Sequence, residues 1–181
     1  MGGLEPGDKA FNFELKNANI TKNNLIISLD EIMGENGAVV LFECNHCPYV
    51  VGSIERINNV AKVALEKKLG FVGINSNDAI NYPDDSFEAM QKRASRGMPY
   101  PYLHDEDQEV AKEWGAERTP EFYLINSNKI VVYRGRMDDS PKNPMNATTS
   151  ELLDAMDALL SGEKPSINRT DSIGCSVKWK V

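Results

Sequence analysis

Two cysteines three positions apart, Cys44 and Cys47 in FECNHCPYVV, are the residues of this 181-residue chain whose types and spacing could do chemistry. Such a pair admits three readings: a dithiol that cycles through a disulfide, half of a metal site, or two small buried hydrophobes. A zinc site needs four ligands, and the other candidates, His104 and Cys175, are single and distant in sequence rather than a second close pair. No metal is therefore expected. The pair stands between an apolar run and a helix start, where unpaired N–H groups and the positive dipole end favour a thiolate. Thiols in that position ionise with a pKa of about 3.5 to 7.5. On this placement Cys44 is the nucleophile, and Cys47, one turn along, resolves the mixed disulfide. His46, if cationic, adds positive charge beside Cys44 and makes the disulfide more oxidising; otherwise it is a solvent-facing ring in the first turn. Pro48 is tolerated there because first-turn N–H groups have no internal partner.

The elements that must hold these groups follow from the periodicity of the apolar residues. GAVVLF, from Gly37 to Phe42, is a continuous β-branched run, as expected of a strand buried on both faces. Val50, Ile54, Ile57, Ala61 and Ala64 then recur at helical spacing up to a stop at Gly70, and FVGIN is a second buried strand. Together they make a βαβ unit with a right-handed crossover. Upstream, residues 10–29 form a hairpin, and Leu29 to Met33 a single helical turn with Asp30 as its cap. Downstream, NSNDAINYPDDS is a capped loop, Ser86 opens a helix that Gly97 ends, YPYL is a short strand and DEDQEVAKEWG a short helix. EFYLIN and KIVVYRG are strands joined at Ser127-Asn128, with Arg134, Arg136, Asp138 and Asp139 in a surface turn beyond. SELLDAMDALLSG is the last helix, and residues 163–181 form an irregular tail packed on the body.

This order of elements around a cysteine pair resembles the thioredoxin fold: α/β, a central mixed sheet flanked by helices, with an N-terminal hairpin extension and an insertion before a cis-proline strand. AERTPEFYLI carries the second half of the resemblance. It implies that the Thr119–Pro120 bond is cis and faces the cysteines, with Pro120 part of the catalytic site and the Thr119 backbone free to bind an extended substrate. CNHCPYV, NYPDDSFEAM, RTPEFYLIN, GRMDD and GCSVKWK are similar to an uncharacterised CxxC group in the redoxin branch, the alkyl hydroperoxide reductase and thiol-specific antioxidant superfamily. The Pro-x-x-x-Thr/Ser-x-x-Cys pattern of a true peroxiredoxin is missing: counting back from Cys44 gives Leu41 and Gly37, and from Cys47 gives Cys44 and Val40. Peroxidase activity is therefore the alternative. Relative to thioredoxin, Glu43 replaces the tryptophan before the first cysteine and Ala38 the buried acid. Glu43 is accordingly either a substitute acid that tunes the thiols or a solvated carboxylate at a strand end.

Cys175 is the odd cysteine, either a third redox centre or a packing residue anchored with Val177 and Trp179, and packing is the preferred reading. The length suits one domain over 1–181, with a thioredoxin-like core of about 7–162. A net charge of -7 argues against nucleic-acid or anionic-membrane partners. With no leader and no membrane span expected, the compartment is the cytoplasm, where a close cysteine pair is redox-active rather than a structural staple. The expectation is a thiol-disulfide oxidoreductase, contributing to cell redox homeostasis and antioxidant defence, that needs no bound cofactor. Protein or small-molecule disulfides are its substrates, and thioredoxin or glutathione its reductant; a metal-binding or interaction module is the non-enzymatic alternative.

Overall fold

A computed structural model describes residues 3–21 and 24–181. Its centre is β3 (Gly37–Phe42), the GAVVLF run, buried at every position. β3 runs antiparallel to β7 (Glu121–Asn126) from Gly37 opposite Asn126 to Phe42 opposite Glu121, and β7 to β8 (Val131–Gly135). On the other side the Glu43 N–H donates to the Ile74 carbonyl (2.9 Å), which sets β4 (Leu69–Asn75) beside β3. β4 pairs in parallel with β5 (Tyr102–His104), and β5 antiparallel with β1 (Glu14–Asn17), whose partner is β2 (Ile26–Ser28). The result is a mixed sheet. The expected hairpin and inserted strand are thus part of it, β5 bridging β1 to β4.

Alternation along β3 divides the core. Val39 and Leu41 face one layer with Phe71, Tyr100, Tyr102 and both cysteines, while Ala38, Val40 and Phe42 face another with Val72, Ile74, Trp114 and Tyr123. The first layer is covered by α3 (Ile54–Glu66) and α6 (Glu151–Leu160), through Ile57, Ala61, Leu152 and Met156. The second takes in α1 (Leu29–Ile32) and α5 (Glu109–Trp114). Helices over both faces explain why the central strands read as unbroken apolar runs.

Several expectations are corrected by local chemistry. Ser28, rather than Asp30, caps α1, in a reciprocal box with Glu31. The helix after the cysteines is two pieces, α2 (Pro48–Val51) and α3, because the chain bends at Gly52 and Ser53. The Ser53 hydroxyl donates to the Pro141 carbonyl (2.6 Å), and a Cβ at Gly52 would run into the Lys142 backbone. Lys67 ends α3 and Lys68 takes the left-handed turn (φ 60°), so Gly70 lies inside β4, where close approach of the Ile32 carbonyl leaves no space for a side chain. Arg134 is not in a surface turn: it is 1% exposed, bonded to Glu121 and Glu5 and to the Leu4 and Gly115 carbonyls. Asp138 is likewise buried and paired with Arg56. The tail contributes one short strand, β9 (Cys175–Ser176), antiparallel to β6 (Arg118–Thr119).

Candidate active site

The β3 strand ends at Phe42 and the first helical residue is Pro48, so residues 43–47 form a connecting turn with Cys47 as the N-cap of α2. Cys44 therefore stands three residues ahead of that N-cap. Both sulfurs are buried, each residue 1% exposed, and both are free thiols. Thr119 lies between them and the tail: its hydroxyl is 3.4 Å from the Cys44 sulfur, and its carbonyl 3.4 Å from the Cys47 sulfur. The Thr119–Pro120 bond is cis, as the resemblance implied. The Thr119 backbone is not free, however, because β9 pairs with it, Cys175 opposite Thr119.

Their surroundings shift the two thiols in opposite directions. The Cys44 thiol donates to Cys47 and draws the Cys47 pKa down to about 4; burial opposes this, while the Cys175 thiol, the Cys175 N–H and the Val50 N–H reinforce it. The same donation, with burial and the nearby Asp85 charge, pushes the Cys44 thiol up, against the Thr119 hydroxyl. The Thr119 carbonyl accepts from Cys47 only while that thiol keeps its proton, so ionisation exchanges one partner for several. Cys175 packs against the core, as its preferred reading expected. It is half-buried against the cluster that contains Cys44 and Cys47.

His46 is partly exposed. Its Nδ1 lies 2.6 Å from an Asp85 oxygen, and its ring stacks on Tyr82 with centroids 5.7 Å apart. Asp85 has no exposure, and also accepts from the Asn45 N–H (2.6 Å) and from the Asn75 and Asn77 amides. The loop NYPDDS is thus part of the site, a role that its loop chemistry concealed. Donor atoms of Cys44, His46 and Asp85 fall within 4.8 Å of one another, three groups with the chemistry of metal ligands or of a thiol with an oriented imidazole. His104, once a possible ligand, lies outside that group, against Phe87.

Glu43 is buried rather than solvated, and its oxygens are engaged away from the thiols. One accepts from Arg93 (2.5 Å) and the other from the Tyr100 hydroxyl (2.6 Å). Arg93, on α4 (Phe87–Ala94), also donates to the Cys44 carbonyl (3.2 Å) and the Tyr102 hydroxyl (3.3 Å). Burial works against its charge, but Glu43 and then the two tyrosines hold it protonated well above its ordinary pKa. Tyr102 in turn donates to the Asn45 side chain (2.7 Å). Arg93, Tyr100 and Tyr102 thereby tie the cysteine turn to α4 and β5. Sequence patterning missed all three, since tyrosine on a buried strand and arginine near a helix end are ordinary there.

A thioredoxin-like α/β protein with a buried dithiol beside a cis-proline is the class that this fold and site define. Residues 5–153 match the Redoxin family model, and the chain belongs to that family. An uncharacterised conserved protein from Geobacillus kaustophilus is 40% identical, with a TM-score of 0.89 over 98% of this chain and 93% of that one. A hypothetical protein from Sinorhizobium meliloti is 34% identical, with a TM-score of 0.90 over 99% and 97%. A putative thiol:disulfide interchange protein, DsbE from Chlorobium tepidum, shares the fold at 21% identity, with a TM-score of 0.58 over 72% and 84%. No protein with a curated description matches. Among the described residues no helix is long and apolar enough to cross a membrane.

Proposed function

We propose that the protein is a thiol-disulfide oxidoreductase working through Cys44 and Cys47. The observation that carries this reading is the convergence of both sulfurs on Thr119, beside the cis proline. Cys47 attacks a substrate disulfide, the leaving thiolate takes up a proton, and Cys44 resolves the mixed disulfide, leaving Cys44–Cys47 oxidised. This order differs from the one expected from sequence; the bonding of Cys47 to Cys44, Cys175 and the Val50 N–H supports it. A substrate strand seated where β9 lies would present its sulfur to Cys47, as Cys175 does.

The chemistry requires no bound cofactor. Protein or small-molecule disulfides are its substrates, and a thioredoxin or glutathione system in the cytoplasm returns the dithiol. Insulin reduction measured beside hydroperoxide consumption tests the reading. Turnover of insulin that is lost in Cys44→Ser and Cys47→Ser supports it; hydroperoxide consumption without insulin reduction replaces it with a thiol peroxidase. A mixed disulfide that accumulates on Cys47 in the double variant Cys44→Ser, Cys175→Ser supports the order of attack.

A further inference from the structure

The Cys44–Cys47 pair has an access problem. Each cysteine is 1% exposed with β9 in place, so while the tail is seated a disulfide between them is sealed from a protein reductant, whereas Cys175 at the rim is half-buried. The tail reaches the pair by a specific fit. Gly174 passes so close to the Thr119 carbonyl and Pro120 that a Cβ would collide with them, and the next residue, Cys175, is then in register with Thr119. Thr119 in turn touches both active-site sulfurs. Beyond β9, the Val177 N–H donates to the Glu117 carbonyl and the Lys178 N–H to the Asn77 side chain (2.9 Å), which hold the segment down.

We propose that Cys175 is a third redox thiol, which takes over the disulfide from Cys44–Cys47 as Cys47–Cys175 and presents it to the reductant. The proposal rests on the oxidoreductase reading above. In the step, the Cys175 sulfur attacks the Cys47 sulfur; the Cys47–Cys175 bond forms as the Cys44–Cys47 bond breaks. The electron pair of the broken bond leaves on Cys44, which takes up the proton lost by Cys175. No net oxidation or reduction occurs, so no further reactant is needed. Burial, and then the bonding and charge of Cys47, push the Cys175 thiol up in the reduced protein. Once Cys47 is in a disulfide its charge is gone, while Lys178 and Lys142 continue to favour the Cys175 thiolate. A reductant then meets a sulfur at the rim instead of one in the core.

The test is peptide mapping by mass spectrometry, without reduction, of full-length protein oxidised by an insulin disulfide and quenched with acid. Wild type is expected to give both Cys44–Cys47 and Cys47–Cys175, and Cys44→Ser to give Cys47–Cys175 alone. Gly174→Val, which lifts the tail, should retain Cys44–Cys47 and lose the Cys175 linkage. In stopped-flow reduction by thioredoxin, Cys175→Ser should be slowed by at least about tenfold. If Cys44–Cys47 forms but Cys175 stays a free thiol in wild type and in Cys44→Ser, the relay is wrong and the oxidoreductase reading stands. If neither Cys44–Cys47 nor Cys47–Cys175 forms, both fail. Unchanged reduction of Cys175→Ser also overturns the relay.

Discussion

At the scale of single residues, the division of labour between the two cysteines is set by a proton. On the proposed reading Cys44 keeps its proton and Cys47 carries the thiolate, its pKa lowered from an ordinary 9.0 to about 4 by bonding to Cys44. An acid whose pKa is lowered by folding binds fewer protons folded than unfolded between those two values, so its stabilisation grows with pH there. It is complete above the unfolded value and lost as the pH falls through about 4. The stability advantage of reduced wild type over Cys47→Ser, measured by denaturant titration, should therefore shrink as the pH is lowered from neutral toward 4. Near-ultraviolet thiolate absorbance should fade over the same range, and be absent from Cys47→Ser at neutral pH. An advantage that grows on acidification would place the thiolate elsewhere. Thr119 offers a second test, because its hydroxyl lowers the Cys44 thiol. Thr119→Val should push that thiol further up and slow resolution of a mixed disulfide, followed by rapid acid quench.

At the scale of elements, the cysteine turn is held from behind by α4 through Arg93, Glu43 and Tyr100. These groups are almost fully buried, so removing one partner leaves an uncompensated charge. Arg93→Leu should destabilise the protein by about 3–5 kcal/mol in denaturant unfolding. It should also release the Cys44 carbonyl, and so change the ratio of thiol reactivities at Cys44 and Cys47 in mass-spectrometric alkylation. Gly73 faces the same carboxylate, and a Cβ there would meet Glu43 and the Tyr100 ring. Gly73→Ala should cost about 1–3 kcal/mol by overpacking. The strands and helices that carry this arrangement were largely legible in the sequence, because GAVVLF, FVGIN and EFYLIN announce burial by composition, and Ser86 and Gly97 bracket α4. The site was legible only where chemistry is local. Cys44 and Cys47 could be found from adjacent letters, and Thr119 and Pro120 through the resemblance to thioredoxin. Asp85 and Arg93 could not, since their partners lie 40 and 49–50 positions away and loop or helix-end chemistry explained them equally well. The break between α2 and α3 was hidden for the same reason: Gly52 and Ser53 answer to Pro141 and Lys142.

At the scale of the whole molecule, the tail closes over the site. Cys175 lies on Thr119, Lys178 on Asn77, and Gln108 donates to the Lys178 carbonyl (2.9 Å). This explains why both sulfurs of the cysteine pair are buried, and why the last residues hold a defined path despite having little regular structure. Truncation after Ser172 should uncover the Thr119 edge. In timed alkylation of the reduced protein, Cys44 and Cys47 should then react at least about tenfold faster than in the full chain; equal rates would mean that the tail does not control access. The central claim, a dithiol that exchanges disulfides, is tested most directly by equilibrating the full-length protein in glutathione buffers of graded potential and mapping its thiols after acid quench. The account predicts one two-electron transition in which the Cys44–Cys47 disulfide, or its Cys47–Cys175 isomer, replaces free thiols, and which Cys47→Ser abolishes. Thiols that stay free across the whole series, or oxidise without Cys47, would contradict it.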